Sequence, residues 1–82
     1  MTTSETLRTM AAIIDRLNLT PISANTHSGL HLKLDEFRRT FAGRKVVVTS
    51  LSAHDQLAVT EDGIEVFALT ERAVPAPTSM VL

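Results

Sequence analysis

The sequence predicts an α+β fold: an antiparallel sheet in α-β-β-α-β-β-β order, with helices mainly on one face. Three observations predict it. Apolar residues recur at helical spacing within the first 18 positions, and strand-length apolar runs separated by Gly or Pro follow them. Two of those runs, Val46-Val47-Val48-Thr49-Ser50-Leu51 and Ile64-Glu65-Val66-Phe67-Ala68-Leu69, are apolar on both faces. A half-solvated strand should alternate apolar with polar instead, because its side chains point to opposite faces in turn.

The elements follow in order. Thr2 and Glu5 stand at capping-box spacing, with Ser4 as another candidate N-cap. Leu7, Met10, Ala11, Ile14 and Leu17 then form the apolar stripe of an amphipathic helix over residues 4–18, which Ile13 widens. Pro21 lies beyond its end. Residues 21–34 read as a β-hairpin turning at Gly29, with Leu30, Leu32 and Leu34 on one face and His31 and Lys33 on the other. Asp35 is a candidate N-cap for a short helix, Glu36 to Ala42, which docks through Phe37 and Phe41 and stops at Gly43. Residues 45–51 form the next strand, 52–55 a turn, and 56–60 a strand with Leu57 and Val59 inward. Glu61-Asp62-Gly63 is a hairpin turn into the last strand, 64–69. The domain is expected to span residues 1–70. Residues 71–82 form a Pro-containing tail, polyproline-like over 73–78 and apolar at Met80-Val81-Leu82.

The two-faced strands bear on assembly. Two helices, one of them short, cannot readily cover both faces of such a sheet. Val47, Leu51, Phe67 and Leu69 then fall on or near an uncovered face. Each would contribute roughly 1.5–3 kcal/mol if moved fully from water into an interface. Dimerisation through that face, or docking of the tail end Met80, Val81 and Leu82 across it, is the expected solution; the alternative is a closed monomer with one helix on each face. A chain of 82 residues buries only about 60–65% of the surface of its unfolded form, so added cover matters.

Composition narrows the classes. Cysteine is absent, which removes disulfides and thiolate metal sites and suits a reducing cytoplasm. No apolar run approaches the ~20 residues of a membrane span, and the N-terminus lacks the basic start of a signal peptide. Net charge is −1, so the whole molecule has no strong pull on nucleic acid. The charges are nevertheless polarised. Residues 33–45 carry five basic against two acidic side chains, and residues 46–82 carry five acidic against one basic.

Candidate chemistry is sparse. His27 and His31 are four apart, but a turn at Gly29 would separate them, so no metal site is expected. His54-Asp55, with Ser50 and Ser52 upstream, has the parts of a nucleophilic site without a motif that positions them, and reads as turn chemistry. Gly29, Gly43 and Gly63 sit at separate turns, so no phosphate-cradling loop or nucleotide cofactor is expected. Arg38, Arg39, Arg44 and Lys45 form a basic cluster that could contact phosphates. Tyr and Trp are absent, which leaves no stacking platform for single strands.

Taken together, the helix leading through Leu19-Thr20-Pro21, the run Leu30-His31-Leu32-Lys33-Leu34, Val46-Val47-Val48-Thr49 and Asp62-Gly63-Ile64-Glu65-Val66 resemble short uncharacterised proteins of actinobacteria and their phages. The resemblance covers residues 4–69 and carries no functional residues. It implies a phage accessory gene expressed inside its host. The segment Thr26-His27-Ser28-Gly29-Leu30-His31 also resembles small toxin ribonucleases that place a histidine on a strand beside an N-terminal helix, although those are strongly basic. The expected function is a non-enzymatic protein-interaction module, homodimeric, that binds an unidentified host or phage protein. Nucleic-acid binding through residues 38–45 is the alternative, and a histidine-dependent ribonuclease a further one.

Overall fold

Thr2 begins the chain's regular structure by accepting the Glu5 backbone N–H at 3.1 Å on its side-chain oxygen, and α1 runs from there over Thr3–Leu17. A left-handed Asn18 ends it, and Leu19 N–H donates back to the Ile14 carbonyl at 2.9 Å. In this computed structural model the described residues are 1–72, 75 and 77–82. The predicted stripe needs one correction. Ile13, expected at its margin, is fully buried, while Leu7 is 53% exposed. The buried line is Met10 and Ile13, flanked by Ile14 and Leu17, in the C-terminal half of the helix.

The predicted hairpin is β1 (Ser23–Asn25) and β2 (Gly29–His31), joined by a turn in which the Asn25 side chain accepts the His27 and Ser28 N–H groups. Helix α2 occupies Leu34–Thr40, two residues earlier than predicted at both ends. Lys33, not Asp35, is its N-cap; Asp35 sits in the first turn and accepts the Glu36 N–H at 2.9 Å. Phe37 and Phe41 dock it, tilted against one another with centroids 5.1 Å apart.

Strands β3 (Lys45–Ser50), β4 (His54–Glu61) and β5 (Ile64–Glu71) form a meander. Asp62 and Gly63 both have positive φ, the signature of the tight turn that joins β4 to β5. The predicted turn at 52–55 is shorter than expected, since His54 and Asp55 already belong to β4. The tail also departs from expectation. Ser79–Val81 form β6, antiparallel to β3, and Leu82 exchanges backbone hydrogen bonds with Gly43 and Arg44. Within the stretch read as polyproline-like, Ala73, Val74 and Ala76 lie outside the described residues.

The fold is α+β, with both helices packed on one face of a six-stranded sheet ordered β1-β2-β5-β4-β3-β6. The sheet is mixed rather than purely antiparallel, because β2 pairs parallel to β5. The connection through α2 explains this. It crosses over so that β3 starts in the direction of β2, and β5 is two antiparallel steps from β3 and shares that direction. Gly29 is needed at this junction: its φ is +97°, and a Cβ there would lie 2.0 Å from the Glu65 carbonyl oxygen. The core lies between helices and sheet, built from Met10, Ile13, Phe37 and Phe41 above and Leu30, Val46, Leu57, Val66 and Ala68 below. At its rim Glu61 receives both Arg16 of α1, at 3.2 Å, and Arg44 of the α2–β3 turn.

Candidate functional site

Alternation along the strands sends one file of side chains to the helices and the other to the opposite face. On β3, Val46 and Val48 are 0% and 8% exposed, whereas Val47 between them is 59% exposed. The register extends that contrast across the molecule. Ser79, Val47, Ala58, Phe67, His31 and Ser23 are successive partners and form one row over all six strands. The next row holds Thr49, Gln56 and Leu69, and on the other side Val81 faces Lys45 while Thr60 faces Glu65. Among the described residues no helix covers this face.

The row has relief. Ala58 is its smallest side chain and lies between Val47 and Phe67. Above it runs a groove of about 220 Å³, lined by Lys45, Val47, Thr49, Ala58, Thr60 and Glu65. Phe67 is only half-buried; the His31 ring stacks on it, with centroids 4.8 Å apart and planes within 10°. The face is therefore apolar at the centre of its middle row, at Val47, Ala58 and Phe67, and polar at its margins, with Lys45 on β3, His54 on β4, and Glu65 and Glu71 on β5.

The predicted interface residues divide. Val47, Phe67, Leu69 and Val81 share the open face, and Val81 is 66% exposed. Leu51 lies beyond the end of β3, where its N–H donates to the His54 carbonyl at 2.8 Å. Met80 is the partner of Val46 and so points toward the helix side, and Leu82 packs at the edge of the core. The tail end thus extends the sheet edge instead of crossing the open face. It does so because β3 offers an unpaired edge whose N–H and C=O groups need partners.

The predicted basic residues also divide. Arg44 is engaged by Glu61 and lies over the Phe41 ring, 5.3 Å from its centroid. Arg39 approaches Glu36 at 4.0 Å on α2. Lys45 belongs to the open face, and Arg38 borders a cleft on the helix side. That cleft, about 190 Å³, is lined by Arg38, Val48, Asp55, Leu57, Thr70 and Met80. Asp55, read from the sequence as a turn residue, is 1% exposed there. The signal for it was present: Val59 and Leu57 point inward, and the same alternation carried back two residues puts Asp55 in the buried file. His27 lies in the β1–β2 turn, apart from His31 on the open face, and among the described residues no three His, Asp or Glu gather as a metal would require.

In comparisons with family models, with curated proteins and with solved structures, no match to this chain was found. No helix among the described residues is long and apolar enough to cross a membrane.

Proposed function

We propose that this protein is a small non-enzymatic protein-interaction module whose contact surface is the open sheet face, of the kind a phage accessory gene supplies in the cytoplasm of its host. The observation that supports this most is the row Val47–Ala58–Phe67, in which Val47 is exposed and Phe67 half-buried on either side of a buried Ala58 while polar groups ring them. A contiguous apolar patch with a polar rim is the usual anatomy of a protein contact. The lack of cysteine fits a reducing compartment. Nucleic-acid binding through Arg38, Arg39, Arg44 and Lys45 has less behind it, since Arg44 and Arg39 already face carboxylates and Lys45 lies on the other side of the sheet from Arg38.

The test is chemical cross-linking in host lysate with the wild-type chain and with Val47→Asp. Val47 is exposed, so the substitution leaves the fold intact, which circular dichroism verifies. Cross-linked protein species, copies of the chain included, should be lost with Val47→Asp. A set of partners that is indifferent to this substitution would remove the open face from the proposal.

A further inference from the structure

Resting on the open-face reading above, we propose that the chain seated on that face is a second copy of this protein, related by a two-fold axis parallel to the strands and running between β4 and β5. Size is the first argument. A two-fold at that line lays β5 of one protomer over β4 of its partner, so that Phe67 enters the groove above the partner's Ala58, and the reciprocal contact forms by symmetry. The groove of about 220 Å³ is of the right order for one phenylalanine ring, and its floor is the smallest apolar side chain of the row. The same operation sets Leu69 over Gln56 and Val47 over His31. Large residues therefore meet small ones and medium meet medium, the pattern by which two sheet faces interdigitate. A two-fold placed on β4 itself would stack groove on groove and leave a void.

Charge is the second argument, and it is independent of shape. Both carboxylates of the open face, Glu65 and Glu71, are on β5, whereas Lys45 and His54 are on β3 and β4. Laying β5 over the partner's β4 places Glu71 opposite His54. It also brings Glu65 within one strand spacing of Lys45, about 4.8 Å sideways, which a lysine side chain spans. The same axis sets Glu65 and Glu71 each one strand spacing from its own copy, and these carboxylate pairs are offset by the flanking Lys45 and His54. The area sets its strength. Three strands of three residues, one of six and two of eight, about 4.8 Å apart and rising about 3.4 Å per residue, cover roughly 500 Å² per protomer. The total, about 1,000 Å², falls in the weak, transient class of interface, which makes the dimer a dissociable one.

The test combines charge reversal with cysteine mapping, and the chain has no native cysteine to interfere. By analytical ultracentrifugation the wild-type protein dimerises, and Lys45→Glu and Glu65→Lys each weaken the dimer by about tenfold or more through like-charge contacts. An equimolar mixture of the two variants recovers dimer, because each reversed charge then meets its complement on the other chain. Repair by mixing cannot arise from an effect within one chain. For the axis, Gln56→Cys and Leu69→Cys chains should form a disulfide when mixed and neither should do so alone. A wild-type monomer at several hundred micromolar, or variants that fail to recover on mixing, would overturn the proposal; so would Gln56→Cys pairing with itself, which places the axis on β4. In each of these cases the open-face reading survives if Val47→Asp still abolishes cross-linking to other proteins, and falls with the inference if it does not.

Discussion

Val46, Val47 and Val48 are chemically identical neighbours on one strand, yet two are sealed in the core and the middle one is 59% exposed. The contrast between them is the contrast between the two faces of the sheet. On the covered face, Phe37 from a seven-residue helix, Phe41 at its C-cap, and Met10 and Ile13 from a fifteen-residue helix press on Val46, Val48, Leu57, Val66 and Ala68. On the other, Val47 and Phe67 flank Ala58, Leu69 lies beside Gln56, and the flat ring of His31 stacks on Phe67. The same residue type thus serves stability on one side and is free for association on the other. Because Phe67 and Leu69 are already half-shielded by their neighbours, covering them contributes less than the full transfer value of an isolated side chain.

This comparison can be broken most severely from the covered side. Phe37 is fully buried and holds α2, which is too short to persist without docking. Phe37→Ala should cost about 3–5 kcal/mol in urea denaturation, a large part of the stability of so small a domain. A loss below about 1 kcal/mol would mean that α2 is not what seals that face. Gly29→Ala comes next. The added Cβ meets the Glu65 carbonyl oxygen and the residue must keep a positive φ, so β2 must move off β5. The expected cost is about 2 kcal/mol or more. Hydrogen exchange should show it locally, with the Leu32 N–H losing its bond to the Phe67 carbonyl, now 2.8 Å. Unchanged protection at Leu32 would contradict the tight β2–β5 approach. The finest cut is a matched pair. Val46→Thr buries a hydroxyl in the core and should cost about 1–3 kcal/mol, while Val47→Thr should stay within about 0.5 kcal/mol. Both are compared at high dilution, where any dimer has dissociated and stability belongs to the single chain. Equal costs for the two would erase the distinction between the faces.

How far these features were legible depends on whether their cause is local. The Thr2 cap, the Asp62-Gly63 turn and the docking pair Phe37 and Phe41 are set by neighbours within four residues, and each stands where its pattern indicated. The start of α2 was displaced because Leu34 extends the apolar face of the helix by one position, which outweighed the capping preference of Asp35. Leu7 matched the helical stripe but met no partner, since whether an apolar residue is buried depends on what lies opposite it. The candidate interface was read as one set of residues. The register divided it between the two sides of β6, because a three-residue strand necessarily points its middle side chain away from its ends.

The sequence by itself determined the two helices, the first five strands and the two-faced character of β3 and β5, because spacing and turn chemistry act over a few residues. Only the tertiary structure decided that β2 lies parallel to β5, that Ser79–Val81 closes the β3 edge, and that Ala58 is a hollow between Val47 and Phe67. Those outcomes depend on which strand edges meet across long stretches of chain. An unpaired edge can be satisfied by any strand that reaches it, so the choice is made by the geometry of the assembled core.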